Sequence, residues 1–267
     1  MKLLPSITLT FLLIFSTAER GWAQTKSTTD SLHKVARERK YTLQALALCD
    51  LALDFRNKAE LDSAFYYGQQ ALAVSQKLKY THGQALAFYQ LGIIASIRAN
   101  YVDALQMLSQ SADLYKAGGE KKGYASALSA MGGQKIMLGD LTGALDYYLK
   151  SLKIKEELGD SSILASTIAN IGGVYSEMQN YKEGLRYYQQ SLGLNRKHGK
   201  IKNLPTDYYN VANMYSNMKN DSMAMINVRR SDGQEIGQPL NSAECCAPDA
   251  GVTCESEVNS RLSFLRP

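Results

Sequence analysis

The chain has 267 residues, 45% of them hydrophobic and 21% charged, with a formal net charge of +5. So much apolar material excludes disorder throughout and is enough for a substantial core in one domain or one extended array. The modest charge excludes an electrostatic nucleic-acid binder, and it drops to +4 if Lys2, Glu19 and Arg20 are removed with a leader.

In chain order, Met1 and Lys2 form a short basic start and Leu3 to Phe15 an apolar run. A membrane span needs roughly 20 apolar residues, so this shorter run reads as a signal peptide. Ser16-Thr17-Ala18 and Gly21-Trp22-Ala23 compete as cleavage sites, the second preferred, which makes residues 1–23 the leader and the mature chain secreted or periplasmic. No later apolar stretch reaches spanning length, so no membrane span is expected in the mature chain. Residues 24–44 are read as a linker and a capping helix, because Ser31-Leu32 shares the register of Ser151-Leu152 and Ser191-Leu192.

From residue 45 to 226 the chain repeats every 40 residues. Small residues recur at Ala52, Gly92, Gly132, Gly172 and Ala212, and a second small column reads Ala64, Ala104, Ala144, Gly184 and Ala224. Two apolar columns keep the same register: Leu51, Leu91, Met131, Ile171 and Val211, then Phe65, Leu105, Leu145, Leu185 and Met225. Within a repeat the apolar residues fall at helical spacing, as in Ile168, Ile171, Val174 and Tyr175. Arg98-Ala99-Asn100, Leu138-Gly139-Asp140 and Gln179-Asn180-Tyr181 divide each repeat into two helices with turn and cap residues. Each repeat is therefore an antiparallel helical hairpin, and the small columns mark where two helix backbones approach closely.

The remaining features carry little chemistry. His33, His82 and His198 stand apart with no second ligand at metal spacing, so no metal site is expected. No H-E-x-x-H, G-x-S-x-G or Cys-x-x-Cys occurs, and Gly193 to Lys200 only loosely imitates a phosphate loop, so neither catalysis nor a cofactor is expected. Asn220-Asp221-Ser222 reads as a turn. Lys77, Lys79, Lys150, Lys153, Lys197 and Lys200 are read as helix-end cations, and Lys153 and Lys155 as partners of Glu156 and Glu157 in exposed helix pairs. Tyr66-Tyr67, Tyr147-Tyr148 and Tyr187-Tyr188 are read as recurring at one repeat position, one ring packed in each pair. Cys49 falls on an apolar helix face, whereas Cys245, Cys246 and Cys254 cluster near the end and form no disulfide framework. After Ile226 the periodicity stops, so the fifth hairpin is expected to be incomplete. Residues 227–267 are expected to be irregular or disordered, a composition suggesting a truncated or frame-shifted end, the alternative being a genuine cysteine-bearing tail.

Gly172, Tyr175, Asn180-Tyr181 and Gly184, with Ile168 and Ile171 before them, resemble the signature of the tetratricopeptide repeat (TPR) family. The aromatic at Tyr175 corresponds to Phe55, Ala95, Lys135 and Tyr215, so two repeats depart from the pattern and looser packing is expected there. The resemblance implies an all-α fold, a right-handed superhelical array of hairpins, here with the longer period found in kinesin light chains and bacterial sensor proteins. It implies that the first helix of each hairpin lines a concave groove. The groove residues would be Leu86, Tyr89, Ile93, Ser96 and Ile97, then Ser126, Ser129, Gly133, Ile136 and Met137, then Ser166, Ala169, Gly173, Ser176 and Glu177, then Thr206, Tyr209, Asn213, Ser216 and Asn217. This groove would be apolar at one end and polar at the other. It lacks the Lys, Arg and Asn cluster with which some relatives hold a terminal carboxylate, so an extended or helical segment with apolar anchors is the expected ligand. The functional expectation is a non-catalytic protein- or peptide-binding scaffold. It would serve as a sensor module of an envelope signalling protein, or a remnant of one, the alternative being a free-standing secreted adaptor or chaperone-like module.

Overall fold

The computed structural model describes residues 42–159 and 163–233. The leader, the capping helix around Ser31-Leu32, His33, the C-terminal cysteines and residues 234–267 lie outside the described residues. Among the described residues ten α-helices follow one another as consecutive antiparallel pairs, so the fold is all-α. They are α1 Thr42–Asn57, α2 Leu61–Lys77, α3 Thr81–Ile97, α4 Tyr101–Ala117, α5 Lys121–Met137, α6 Leu141–Glu157, α7 Leu164–Glu177, α8 Tyr181–Lys197, α9 Leu204–Asn217 and α10 Asp221–Ser231. A 3-10 turn at Ile201–Asn203 precedes α9. The chain divides into two compact units, one ending at Gly123 and holding α1 to α4, the other running from Tyr124 through α10.

Two boundaries differ from the sequence reading. The first repeat helix begins at Thr42, inside the segment assigned to the linker. At the other end the fifth hairpin does not break at Ile226, because α10 continues to Ser231. Asn227 and Val228 are buried, and the Asn227 amide satisfies itself by donating to the Met223 carbonyl at 2.7 Å. A polar residue thus stays on the helical register where a hydropathy pattern loses it. The helix is still short, 11 residues against the 17 of α8.

Each hairpin turn is built the same way. One residue after each helix sits in the left-handed region, at positions 59, 79, 99, 119, 139, 159, 179, 199 and 219, a spacing of 20. The next N–H reaches back to the carbonyl five residues earlier, as from Asn100 to Ala95 at 2.9 Å and from Asp140 to Lys135 at 2.8 Å. This wrap satisfies carbonyls that a helix end leaves open. Asp140, Asn180 and Asn220 then cap the following helix by accepting the N–H of Gly143, Glu183 and Met223. The Lys135 ammonium and the Gly143 N–H hold the Asp140 carboxyl below the usual carboxylate range. Asn220 is thereby a helix cap, as its turn reading expects.

The small columns meet each other. A Cβ placed on Gly172 would lie 3.1 Å from the Tyr188 ring and 3.2 Å from the Gly184 carbonyl; one on Gly184 would lie 3.2 Å from the Gly172 carbonyl. Ala52, Ala64, Ala104, Ala144, Ala212 and Ala224 are fully buried at the equivalent places. A third column, Leu108, Tyr148 and Tyr188, packs over Gly92, Gly132 and Gly172. This corrects the tyrosine register. Tyr67, not Tyr66, corresponds to Tyr147 and Tyr187, and Tyr66 is 56% exposed. Tyr67 stacks on Phe55 at 5.2 Å, as Tyr187 stacks on Tyr175 at 5.4 Å.

Where the third repeat lacks that aromatic, the Lys135 ammonium goes instead to Asp140 at 2.9 Å. Beside it Gln134 is buried in the column that carries Ile94, Val174 and Met214 in three other repeats and Asp54 in the first, and its Oε1 meets no protein partner. Two lysines also depart from the helix-end reading. Lys150 and Lys153 lie inside α6, and Lys150 pairs with Asp146 one turn back at 2.6 Å.

Gly172→Leu forces the α7 and α8 backbones apart and is expected to destabilise the chain by at least about 3 kcal/mol in urea unfolding. Ala99, at φ 60°, holds a conformation that costs an L-residue. Ala99→Gly is expected to raise stability by about 0.5–1 kcal/mol in the same assay.

Candidate functional site

Three serines tie the second helix of a hairpin to the start of the first. Ser111 donates to the Ala85 carbonyl and Ser151 to that of Ala125, both at 2.7 Å, and Ser191 to that of Ala165 at 3.0 Å. In the third repeat this contact anchors a relay whose direction follows from counting hydrogens. The Ser151 proton is committed to Ala125, so at 2.7 Å Ser129 donates to Ser151. Ser129 is then the acceptor for the Lys155 ammonium at 3.3 Å, which also donates to Thr167 Oγ1 at 2.6 Å. Lys155 is therefore buried, not the exposed ion-pair partner that the sequence suggested, and burial lowers its pKa.

One repeat later the same two positions carry Asn195 and Asp207. Asp207 is 4% exposed. Its Oδ2 accepts from Asn195 Nδ2 at 2.7 Å, and its Oδ1 lies 3.3 Å from Ser191 Oγ. Burial raises its pKa, only partly countered by these two neutral donors. Asn203 Nδ2 reaches Asn195 Oδ1 at 3.4 Å.

This polar cluster forms part of the wall of a groove in the second compact unit. One section, of about 440 Å³, is lined by Ser166, Asn170, Asn195, Asn203, Asp207 and Asn210 among others. A second, of about 350 Å³, is lined by Ser176, Glu177, Asn210, Asn213 and Asn217. Gly173, Tyr188 and Asn210 border both, so the sections adjoin. A Cβ on Gly173 would stand 3.3 Å from the Tyr188 hydroxyl, so the absence of a side chain keeps the channel open there. Burial and the Glu177 charge push the Tyr188 phenol up to about 12, so it remains a neutral donor at the groove wall.

Of the residues expected to line a groove, the structure brings together Ser166, Ser176, Glu177 and Asn213, along with Ile136, Ala169, Gly173, Thr206 and Asn217. Others are engaged elsewhere. Leu86 packs on the core of the first hairpin, Tyr209 on that of the last, and Ser129 is taken up in the lysine relay. Tyr89, Ile93 and Ser96 lie half-buried on α3 in the first unit, with Ile97 exposed; Ser126 and Gly133 are half-buried on α5 with Met137 exposed, and Ser216 is half-buried on α9, none of them at the groove sections. The sequence reading missed Asn170, Asn195, Asn203, Asp207 and Asn210. The signal for Asp207 was present as an acid in a column otherwise held by Ala47, Ala87, Ala127 and Thr167.

No group of three or more metal-ligating side chains occurs among the described residues. His82 is held by Glu120 at 2.6 Å, and the buried Cys49 thiol is pushed up to about 12 by burial and by Asp50.

Residues 123–197 match the tetratricopeptide repeat family. No curated protein matches the sequence. Solved structures with similar folds include BtubC (BKLC) from P. vanneervenii, 15% identical with a TM-score of 0.68 over 87% of this chain and 98% of that one. A Rap protein solved in complex with Competence and Sporulation Factor is 12% identical, with a TM-score of 0.64 over 77% of this chain and 58% of its own. A signal transduction ATPase with a tetratricopeptide repeat sensor, from Pyrococcus horikoshii, is 13% identical, with a TM-score of 0.68 over 82% of this chain and 35% of its own. The chain thus spans nearly all of the first and only part of the other two. At these identities the likeness is one of tetratricopeptide-type fold.

Asp207 has a raised folded pKa, so the native state holds its proton more tightly than the unfolded chain does. Its charge therefore weakens the fold above the unfolded pKa, and the penalty disappears as pH falls below it. Asp207→Asn is expected to raise the thermal midpoint at pH 7, with the gain shrinking towards pH 3 in a series of melts.

Proposed function

We propose that the chain is a non-catalytic scaffold that binds an extended peptide segment of a partner protein along the groove over α7, α8 and α9. The observation that carries this reading is the pair of adjoining groove sections lined by Ser166, Asn170, Asn210, Asn213 and Asn217. A carboxamide offers one acceptor and two donors, which suits the alternating N–H and C=O of a main chain with no internal partner. The match of residues 123–197 to a repeat family and the Rap protein solved with a bound factor support the reading. The groove lies at the end of the array that the sequence reads as polar, and Ile136, Tyr148 and Ala169 add apolar surface beside the carboxamides.

The basic start and apolar run at residues 1–15 support a secreted or periplasmic location. Among the described residues no helix is long and apolar enough to cross a membrane. With export, the scaffold acts as the sensor module of an envelope signalling protein, a reading supported by the neighbour whose repeats are described as a sensor.

The double variant Asn210→Ala/Asn213→Ala removes two carboxamides without touching the small columns. In a pull-down from an envelope extract, the full chain carrying it is expected to retain captured partners about tenfold less well, equivalent to losing one or two hydrogen bonds. Unchanged capture would refute the groove.

A further inference from the structure

Resting on that reading of the groove, we infer that Asp207 is the subsite for a basic side chain of the bound peptide, a lysine ammonium or an arginine guanidinium. The argument begins with a comparison of two adjacent repeats. In the earlier one, position 155 is a lysine whose ammonium is buried against Thr167. In the later one, the equivalents are Asn195 and Asp207. An acid enters the second position where the cation leaves the first. A lysine retained at 195 would stand opposite Asp207 and neutralise it from within the chain. Instead the carboxylate is buried with neutral neighbours only.

Those neighbours leave it incompletely bonded. Ser191 has one proton, and it is shared: its bond to the Ala165 carbonyl is 3.0 Å, against 2.7 Å for Ser111 and Ser151 in the same role. Asn195 supplies the single close donor to the carboxylate, at 2.7 Å on Oδ2. Among the described residues no cation stands against it. Position 207 lies in the first turn of α9, where the helix dipole favours the ionised form without filling a lone pair.

A buried carboxylate with unfilled acceptor capacity is costly. This one also borders the 440 Å³ section of the groove, so the missing donor can come from the ligand. A carboxylate reached from a channel by an extended chain selects a long cationic side chain, which spans the depth with its methylenes and bonds at its tip.

The test is selection of a phage-displayed library of random linear peptides on the full chain, followed by affinity measurements on synthetic winners. The expected result is a Lys or Arg enriched at one position. Replacing it by norleucine should weaken binding to the wild-type chain by about tenfold or more, yet leave binding to Asp207→Asn unchanged. Asn195→Lys supplies an internal partner for Asp207. With helicity confirmed by circular dichroism, it should abolish the same preference.

Peptides selected without a basic preference, or a norleucine penalty that survives in Asp207→Asn or Asn195→Lys, would overturn the subsite while leaving the groove reading standing. Failure of any peptide to be enriched would remove the groove reading and the subsite together.

Discussion

Everything in this fold depends on how closely two helix backbones can approach. A hairpin of two 17-residue helices has only one apolar stripe per helix, and it can bury both only if the axes come near at one crossing. Gly172 against Gly184, and Gly or Ala at every equivalent pair, provide that crossing. Once it is fixed, the larger residues have defined places. Leu108, Tyr148 and Tyr188 cover the glycines of their own hairpins, and Tyr67 and Tyr187 stack on the aromatic three residues after the small position. The turn chemistry is subordinate to the crossing. A left-handed residue every 20 positions returns the chain at the right height, and alanine, lysine or glutamine is tolerated there because the packing on either side fixes the conformation.

The same repetition explains how a site arises from a scaffold that has none by default. A column of a repeat array is a set of equivalent places, and the fold tolerates chemistry in one of them without altering the others. Two neighbouring columns in this chain carry, in succession, a buried lysine with hydroxyl partners and then a buried aspartate with carboxamide partners. The aspartate departs from Ala47, Ala87, Ala127 and Thr167 in its column, and the lysine from Ser75 and Tyr115 in its own. Asp207 borders the groove, whereas the equivalent places in the first three repeats, Ala47, Ala87 and Ala127, are filled with methyl groups.

The periodicity was legible in the sequence because it rests on residue size, and size is read directly from residue identity. The hairpins, the close crossings at 172 and 184 and the caps at Asp140 and Asn180 followed from it. The groove was legible in part. Family geometry pointed to Ser166, Ser176, Glu177 and Asn213, but it also pointed to Leu86 and Tyr209, whose apolar surface is spent on neighbouring helices. Asn195 and Asp207 were missed because a polar residue on a helix reads as solvent-facing unless its column is compared across repeats. The end of the last helix was misplaced for a related reason: Asn227 breaks the apolar pattern while its amide is satisfied inside the helix.

Gln134 shows what the same tolerance costs. An array held only by nearest-neighbour contacts behaves as a chain of links in series, so its cooperativity is set by its poorest link rather than by its average. The third repeat places a carboxamide with an unanswered carbonyl where the adjacent repeats carry Ile94 and Val174, and a lysine where the first and fourth repeats stack rings. Within the second compact unit the α5–α6 hairpin is therefore the link expected to open first, ahead of the two hairpins that follow it.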